Sequence, residues 1–530
     1  MQGYLSLILH AHLPFVRHPE HDRFLEETWL FEAMTETYIP LLQMLDGWAN
    51  DGMFAPITIT LTPTLCTMLS DSLLMTRYRR HLEKLIELAD KETHRTLFEK
   101  PLHDLASFYL ERFRWVRAKY DAWQGDLLAV FRRLHQERRV ELITSAATHA
   151  LLPLLANHPP SLRAQILVAR DHFTRCFGSQ PEGIWLPECA YVPAIEPVLR
   201  EANIRWFVLD THGILNANPK PRYGMFSPII SPGGVAVFGR DLDSASQVWS
   251  RDEGYPGDPR YRDFYRDIGF DLELEYLKPF QAATGQRGFS GIKYHRITGP
   301  GTTKAPYDRP SAVKAADDHA SHFLQARMAQ FRGLSSILDR PPIVTCPYDA
   351  ELFGHWWYEG IEFLNFFVRK AYFDQNVFEL ITPAQFLRKF PTHQVASPAA
   401  SSWGESGYWR VWLNEQNQWV YPHLRIAQER MSELAKRYAR PKSHDGSASL
   451  ESRAMRQAGR ELLLAQASDW PFILRTGTSP DYAKKRVTDH VLRFTRIYEQ
   501  LQSGQIDLAW LEQVEAQDNV FPELDCGYFG

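Results

Sequence analysis

Short runs of apolar, β-branched residues recur along the chain, and each run ends in polar residues. YLSLIL precedes His10, PITITL precedes Thr62 and GIWLP precedes Glu188, and VELIT, RWFVL, VAVFG and PIVTCPY follow the same pattern. Segments with the apolar spacing of amphipathic helices lie between most of these runs, for example over 160–176 and 312–338. Alternating strands and helices predict a parallel α/β sheet, and about seven such units favour a closed barrel over an open sheet.

Three stretches depart from this alternation. The segment at about 66–137 is charged and has helical spacing of its apolar residues, which predicts a helical insertion. The segment at about 241–309 is rich in Gly, Pro, Tyr and Asp, which predicts ordered loops over a cleft. Helical patterns replace the β-rich runs from residue 401 onward. We therefore expect a catalytic barrel over 1–400 and a C-terminal helical domain over 401–530.

Charge and cysteine usage exclude several classes of protein. The 59 Lys and Arg residues and 63 Asp and Glu residues give a net charge of −4 without a strongly basic block, so neither nucleic acid nor a membrane surface is expected as a partner. No basic segment precedes the first apolar run, and no run is long enough to span a membrane. The five cysteines lack CxxC spacing, which argues against a disulfide framework or a zinc module. These features predict a cytoplasmic protein.

Aromatic residues are abundant and unevenly placed. The chain has 15 Trp, 22 Tyr and 31 Phe residues. Several occur in the stretches HWWYEG and SSWGESGYWRVWLNEQNQW, among Gly, Ser, His and Glu rather than aliphatic residues. Such stretches are typical of a surface that stacks on a flat, partly apolar ligand.

Polar residues at the ends of the predicted strands are candidates for chemistry. The carboxyl ends of parallel barrel strands face one mouth, so these side chains should converge there. The candidates are His10, His12, Ser145, His149, Glu188, Asp210, His212, Arg240, Asp241, Asp349, Glu351 and His355.

His10 and His12 allow two interpretations. Two residues apart on a strand, they point the same way and could form a hydrogen-bonding floor for a sugar ring. They could also bind a divalent metal with Asp210, His212 or Asp349 as further ligands. The second interpretation predicts a metal-dependent deacetylase or amidohydrolase.

Glu188 and Asp349 come from different strand ends and have apolar and aromatic neighbours in the sequence. Low-dielectric surroundings raise the pKa of a carboxyl group, and a neighbouring carboxylate separates the two pKa values. A retaining glycosidase needs such a pair about 5 to 5.5 Å apart, one as nucleophile and one as general acid. The alternatives are a buried ion pair with Arg or His, or a glucan-binding protein without catalysis.

The same residues lie in motifs that resemble glycoside hydrolase family 57, and within it the 1,4-α-glucan branching enzymes and similar α-amylases. In order, the motifs are HAHLP, VELITSAATH, WLPECAY, CPYDAELFGHWWYEG, SSWGESGYWRVWLN and QASDWPFIL. Each motif is short, but their joint occurrence is specific and covers essentially the whole chain. The resemblance implies an incomplete seven-stranded (β/α)7 barrel with a helical insertion and a C-terminal all-helical domain.

The resemblance also implies an activity and a set of roles. Glu188 would be the nucleophile and Asp349 the acid/base of a retaining reaction that cleaves α-1,4-glucan and transfers the chain to a 6-hydroxyl. The implied partners are α-1,4-glucans (amylose, amylopectin and glycogen), and no cofactor or metal is implied. The substrate-binding residues implied by the motifs are His10, His12, His149, Arg240, Trp249, Gly257, Trp403, Trp412 and Asp469.

The balance between branching and hydrolysis depends on a loop. In branching members of the family, a loop after the strand near Asp210 carries a catalytic tyrosine. Here the stretch 215–235 is short, and Tyr223 is its only tyrosine. Activity as an α-amylase or a 4-α-glucanotransferase is therefore the alternative within the family.

Overall fold

The computed structural model describes residues 2–250, 254–281, 286–299, 301, 303–438 and 449–530. The described chain contains nine strands: β1 (Gly3–Ala11), β2 (Ile57–Leu61), β3 (Val140–Ile143), β4 (Gly183–Ile184), β5 (Trp206–Leu209), β6 (Ile229–Ile230), β7 (Ala236–Gly239), β8 (Ile343–Asp349) and β9 (Phe378–Leu380). All seven predicted runs form strands, while β6 and β9 are additional.

The strands form two sheets. One has the order β3-β2-β1-β8 with β9 also paired to β1, and the other has the order β4-β5-β7-β6. All pairs are parallel except β6 with β7. All nine residues of β1 are buried, as expected for a parallel sheet that is covered on both faces. The predicted α/β class is confirmed.

The closed barrel predicted from the repeat of strands is not formed as one continuous sheet. Single parallel bridges, Thr144 with Ile184 and Arg240 with Thr345, connect β3 to β4 and β7 to β8. The hydrogen-bond ladder between β3 and β4 ends early because β4 is only two residues long. The chain then turns at Pro187, which has no N–H to donate.

Helices cover the sheets. Those of the first 400 residues outside the segment 63–136 are Thr28–Ala33, Ile39–Asn50, Leu152–Leu155, Pro159–Phe177, Glu196–Glu201, Thr211–Leu215, Leu242–Trp249, Ile268–Asp271, Leu274–Leu277, Arg309–Ile337, Gly360–Phe373 and Pro383–Lys389. The helices Thr28–Ala33 and Ile39–Asn50 are joined by a π-helix, Met34–Tyr38. The helices expected at 160–176 and 312–338 are confirmed with slightly different ends.

The two remaining helical regions lie in the charged segment between β2 and β3 and in the segment after residue 401, where the sequence predicts helices. Between β2 and β3 the helices are Pro63–Leu69, Ser72–Arg95, Lys100–Ala122 and Leu127–Gln136. After residue 401 they are Val420–Tyr438, Leu450–Ala465, Asp469–Thr476, Pro480–Ser503 and Leu508–Gln517. The long helix of the first group begins at a cap, since the Asp71 carboxylate accepts from the N–H of Leu74.

The segment at 241–309 contains short helices and loops, and part of it lies outside the described residues. Helix Leu242–Trp249 begins it, and the Tyr255–Gly257 turn follows. Within the described chain, no helix combines the length and hydropathy that crossing a membrane requires.

Candidate active site

Glu188 lies in a tight turn directly after β4. The turn Pro187–Cys189 holds Glu188 in the left-handed region with φ 62°, and Cys189 follows with φ 49°. This turn directs the carboxylate away from the sheet ladder toward two donors. Trp403 Nε1 donates to Oε2 at 2.8 Å, and the Ser468 hydroxyl donates to Oε1 at 3.1 Å. Glu188 is therefore not an unpaired charge.

Asp349 ends β8, beside His10 on β1 in the register of the two strands. Within the described residues, no side-chain hydrogen bond reaches its carboxylate, although Arg240 attracts it electrostatically. Glu351, two residues further on, accepts from the backbone N–H of His12 at 3.2 Å and from the hydroxyl of Tyr38. The Asp349 carboxylate is thus less stabilised as an anion than the Glu188 carboxylate.

The pKa values of the carboxyl groups are raised. Burial, followed in effect by the negative charges of Glu351 and Glu188, raises the pKa of Asp349 well above its ordinary value. Burial also raises the pKa of Glu188 to about 7, although the hydrogen bond from Trp403 opposes the rise. Because Glu188 receives two hydrogen bonds as an anion, it is the member of the pair that ionises first.

A directional chain of hydrogen bonds leads to Glu188. Since the single proton of the Ser468 hydroxyl points to Glu188, its oxygen accepts from Nδ1 of His149 at 2.9 Å. Nε2 of His149 then accepts from Nε2 of His10 at 3.0 Å. Burial, followed by the charge of His12, lowers the pKa of both His10 and His149 well below the ordinary value, so both rings are neutral.

His12 behaves differently from its neighbours. Its Nδ1 lies 3.1 Å from the Thr62 hydroxyl, and its Nε2 lies 3.0 Å from Asp469 Oδ1. Burial by itself would lower the pKa of His12, but the Asp469 carboxylate raises it overall. The site therefore holds one imidazole that favours the charged form beside two that stay neutral.

Aromatic and cationic groups extend the site from Trp403. The Trp403 ring stacks on Trp249 at 6.2 Å between centroids, and the Arg240 guanidinium lies 5.7 Å from its centre. Trp249 is 40% exposed, so its ring is open to a ligand. Arg240 also contacts Asp210 at 3.4 Å. These residues have the character of a sugar-stacking wall.

Two residues implied by the resemblance lie away from this surface. Trp412 is only 1% exposed and packs with Trp403 and beneath Gly404. A direct contact of the Trp412 ring with substrate is therefore not supported, and the ring packs against the residues around Trp403 instead. Gly257 lies in the turn that is fixed to the Arg309–Ile337 helix through Tyr255, whose hydroxyl bonds His322 at 2.7 Å. None of its described hydrogen bonds joins it to the residues around Glu188.

Other strand-end candidates have structural partners. The pairs are Ser145 with the carbonyl of Trp185, Asp241 with Arg327, His212 with the carbonyl of Gly407, and His355 with Glu36. Cys189 and Cys346 are buried, and burial raises the pKa of both thiols, so neither is a candidate nucleophile.

The metal interpretation of the histidines does not fit the geometry. His12, His149 and Asp469 do offer ligand atoms within 4.8 Å of one another, but His10, Asp210 and Asp349 are not in this group. The rings of His12 and His149 are stacked 3.8 Å apart with 17° between their planes. A metal ion lies near the plane of each imidazole that binds it, so two stacked, nearly parallel rings do not share one ion.

Sequence reasoning missed residues that orient the predicted ones. Ser468 and Tyr38 are far from Glu188 and Glu351 in sequence, and no local pattern marks their contacts. Ser468 could have been found, because it precedes Asp469 in the motif QASDW. Tyr38 lies in the Met34–Tyr38 π-helix, a rare element that often occurs at functional sites.

Tyr223 lies at the opposite end of the sheet. Its hydroxyl donates to Asp339 at 2.7 Å, four residues before β8 begins, whereas Asp349 is the last residue of that strand. The cations of Arg222 and Arg340 lie over its ring. Tyr223 is therefore not placed to contact a sugar bound between Glu188 and Asp349.

The chain matches the models of two protein families over most of its length. The model of glycosyl hydrolase family 57 matches residues 6–400, and the model described as "1,4-alpha-glucan branching enzyme, C-terminal" matches residues 423–529. A 1,4-alpha-glucan branching enzyme of Thermococcus kodakarensis is 33% identical over 99% of this chain and 78% of its own.

Solved structures of two kinds of enzyme are similar over the full length. The α-amylase AmyC from Thermotoga maritima is 42% identical with a TM-score of 0.92, over 100% of this chain and 99% of that chain. The family 57 branching enzyme from Pyrococcus horikoshii is 33% identical with a TM-score of 0.89, over 100% of this chain and 97% of that chain.

Proposed function

The chain belongs to glycosyl hydrolase family 57, and on that premise we propose that Glu188 and Asp349 catalyse a retaining double displacement on α-1,4-glucan. The enzyme acts on α-glucan, and its activity is that of a 1,4-alpha-glucan branching enzyme. The observation that carries the assignment of roles is the asymmetry of the two carboxylates. Two donors hold Glu188 as an anion, while burial and its acidic neighbours keep Asp349 protonated.

In the first step, a Glu188 oxygen attacks the anomeric carbon while Asp349 gives its proton to the leaving glycosidic oxygen. The C–O bond to the leaving chain breaks and a glycosyl ester of Glu188 forms. In the second step, the Asp349 carboxylate takes the proton of an acceptor 6-hydroxyl, whose oxygen displaces Glu188 from the sugar. The product is an α-1,6 branch, and both carboxyl groups return to their starting states.

The surrounding residues supply orientation. We infer that the imidazoles of His10, His12 and His149 line the subsite of the sugar to be transferred, with Asp469 fixing His12. Arg240, Trp249 and Trp403 form the wall on which the glucan stacks. Trp412 and Gly257 act indirectly, by supporting that wall and the neighbouring loop.

The fold explains why residues from distant strands meet. We infer that the two sheets are the two parts of an incomplete seven-stranded barrel, supported by the bridges from Thr144 to Ile184 and from Arg240 to Thr345. The carboxyl ends of β1, β4 and β8 then face one mouth. The five free cysteines support a cytoplasmic role in glycogen or starch-type glucan metabolism.

The proposal is tested by incubating amylose with the enzyme and measuring new α-1,6 linkages and new reducing ends. We expect branches to form in large excess over reducing ends, and Glu188→Gln to form neither. Glu201→Gln, which changes an exposed carboxylate paired with Arg163, is the matched control and should retain activity. Reducing ends without branches would identify an α-amylase, and activity in Glu188→Gln would overturn the assignment of the nucleophile.

The two carboxyl roles are separated by azide rescue with an activated α-glucosyl substrate. In Glu188→Ala, azide replaces the lost nucleophile in a single displacement, so the product should be the β-glycosyl azide. In Asp349→Ala, the glycosyl-enzyme still forms and azide attacks it, so the product should be the α-glycosyl azide. The opposite pairing of products would reverse the roles.

A further inference from the structure

A groove with a volume of about 250 Å³ lies where the helices Ile39–Asn50, Lys100–Ala122 and Gly360–Phe373 meet. Within the described chain, no hydrogen bond joins its lining residues to the residues assigned above to catalysis or to sugar binding. Its volume is close to the lower end of the range for small-molecule sites, about 300 Å³. The groove therefore has room for a small ligand or for a short part of a long one.

Helix Ile39–Asn50 forms one side of the groove with a single face. Its lining residues are Pro40, Gln43, Met44 and Gly47, at positions i, i+3, i+4 and i+7. This spacing keeps the four residues in one stripe. Because Gly47 has no side chain, the groove stays open at that end of the stripe.

Asn365, on the opposite helix, is fixed through its carbonyl oxygen. This Oδ1 accepts from Trp48 Nε1 at 2.8 Å and from Arg369 Nε at 2.9 Å. Arg369 is in turn held by Asp51 at 2.5 Å. No described hydrogen bond uses Nδ2 of Asn365, which carries two protons. Asn365 therefore offers two oriented donors to a ligand.

Three further side chains add both donors and acceptors. Among the described hydrogen bonds, none is made by the side chains of Gln43 or Arg112, and Glu362 uses only its Oε1, which accepts from Arg309. A hydroxyl group both donates and accepts, whereas a phosphate or carboxylate ion mainly accepts. Free donors beside a carboxylate oxygen therefore fit a neutral ligand with several hydroxyl groups better than an anion.

Trp115 supplies an aromatic wall. Its ring is partly exposed, and the Arg112 guanidinium lies over it, 4.4 Å from the ring centre. Pro40, Met44 and Ile361 add apolar surface. A sugar ring has apolar C–H faces and a rim of hydroxyl groups, so apolar walls with a few oriented polar groups are complementary to it.

We propose that this groove binds a stretch of α-1,4-glucan outside the catalytic centre. The proposal rests on the proposed function, because that function supplies a polymer long enough to occupy two sites at once. A chain held in the groove meets the catalytic centre as an intramolecular event, which raises its effective concentration there. The groove therefore favours long glucans and has little effect on short ones.

Gly47→Met fills the groove without removing a hydrogen-bonding group. A Cβ at this position would lie 4.0 Å from Nη2 of Arg369, an ordinary van der Waals contact, and replacing a glycine inside a helix favours the helix. Gly333→Met is the matched control, since Gly333 is an exposed glycine inside helix Arg309–Ile337 and a Cβ there has no neighbour within 4 Å among the described residues. Gln43→Ala is a second variant that adds no bulk.

Calorimetric titration with maltohexaose in Glu188→Gln counts the bound molecules without turnover. We expect two classes of site in Glu188→Gln, two when Gly333→Met is added and one when Gly47→Met is added. Gln43→Ala should weaken the second class by roughly threefold to tenfold. Identical binding with Gly47→Met and with Gly333→Met would overturn the proposal, as would displacement of maltohexaose from the second class by inorganic phosphate.

Kinetics with the intact catalytic centre are a second measurement. Gly47→Met should raise KM for long amylose by about threefold or more and leave kcat, and KM for a short α-1,4-glucan, unchanged. An equal KM for long amylose in Gly47→Met and Gly333→Met would contradict the proposal. Maltohexaose binding is counted whether or not branches form, and branches are counted whether or not the groove binds glucan, so failure of the groove is distinguishable from failure of the proposed function.

Discussion

Glu188 combines a costly backbone conformation with a well-satisfied carboxylate. A non-glycine residue at φ 62° costs about 1 to 2 kcal/mol, and Cys189 shares the left-handed region. In return, both carboxylate oxygens meet a donor, from Trp403 and from Ser468. The strained turn thus places the carboxylate where residues far along the chain can orient it, which is typical of a preorganised nucleophile.

Replacing Trp403 with phenylalanine should shift the acidic limb of the pH profile. The indole N–H stabilises the ionised form of Glu188 and so lowers its pKa, against burial, which raises it to about 7. Loss of that donor removes about 1 kcal/mol of stabilisation of the anion. The acidic limb of kcat/KM should therefore move to higher pH by roughly 0.5 to 1 unit, measured from about pH 5 to 9.

Trp249→Phe is the matched control for this shift. Trp249 stacks on Trp403 but does not donate to Glu188, so its replacement should raise KM and leave the acidic limb in place. Equal shifts in the two variants, or none in Trp403→Phe, would show that the indole N–H does not set the titration of the nucleophile.

The predicted residues and the missed ones differ in how far apart they are in sequence. Glu188 and Asp349 could be located because each follows an apolar strand run, and strand ends share one mouth. Ser468 is 280 residues from Glu188, and no local pattern encodes that contact. For the same reason the sequence could not reveal that Trp412 is buried beneath Gly404 rather than open to a ligand.

Strands were predictable, but their closure was not. The apolar runs set each strand's position, because burial on both faces leaves no polar alternation. Closure of the barrel depends on how many hydrogen-bonded residue pairs join β3 to β4 and β7 to β8. Each of these two junctions has a single bridge. Similarly, the sequence predicts helices after residue 401 but does not locate the start of the short helix Asp469–Thr476, which carries Asp469 and follows Ser468.

The loop 215–235 gives a prediction about product choice. Its tyrosine, Tyr223, is bonded to Asp339 at the end of the sheet opposite to Asp349. We therefore expect Tyr223→Phe to leave both the rate and the ratio of new branches to reducing ends unchanged within about twofold. Linkage analysis of amylose products from the variant and the wild type checks this, and a selective loss of branching would mean that Tyr223 reaches the sugar.

Helix Asp469–Thr476 contributes the Asp469 carboxylate, which stabilises the charged form of the His12 imidazole. The pKa of His12 is raised in the folded protein by Asp469, against the effect of burial, so the pair stabilises the fold below the ordinary pKa of 6.5 and loses this effect as pH rises through the raised value. Asp469→Asn should lower the free energy of unfolding by roughly 1 to 3 kcal/mol at about pH 6. The loss should shrink at alkaline pH.

Thermal unfolding of the wild type and Asp469→Asn from about pH 5.5 to 9.5 measures this difference. Asp481→Asn, on the exposed first turn of the neighbouring helix Pro480–Ser503, is a suitable control because its carboxylate is exposed and is not part of the site. A difference between Asp469→Asn and the wild type that does not vary with pH would show that the charge of His12 does not contribute.

Hydrogen bonds and ion pairs join the last residues of the chain to helix Pro159–Phe177, which lies beside the sheets. Glu523 bonds both His172 and Arg175 at 2.6 Å, on helix Pro159–Phe177. The hydroxyl of Tyr528 bonds Asp171 at 2.5 Å on the same helix. Because residues of the C-terminal region also orient Glu188 and His12, these contacts help to fix the position of that region relative to the sheets.

The pair of Glu523 and His172 should stabilise the molecule within a defined range of pH. Against the effect of burial, Cys176 and then Glu523 raise the pKa of His172 to about 9 from 6.5, so its contribution is complete below pH 6.5 and is lost as pH rises through 9. Likewise His172 and Arg175 lower the pKa of Glu523 to about 2 from 4.5, so that contribution is present above pH 4.5 and is lost as pH falls toward 2.

Glu523→Gln should therefore lower the free energy of unfolding by roughly 1 to 3 kcal/mol between these limits. This loss is measured from the shift of the unfolding midpoint at about pH 5.5, and it should be much smaller at about pH 9.5. Glu182→Gln, which breaks an exposed pair with Arg388, should cost less than about 1 kcal/mol at both pH values. Water is excluded from the Glu523–His172 pair but not from the exposed Glu182–Arg388 pair. Equal losses of unfolding free energy in the two variants would therefore mean that the C-terminal segment is held by packing rather than by charge.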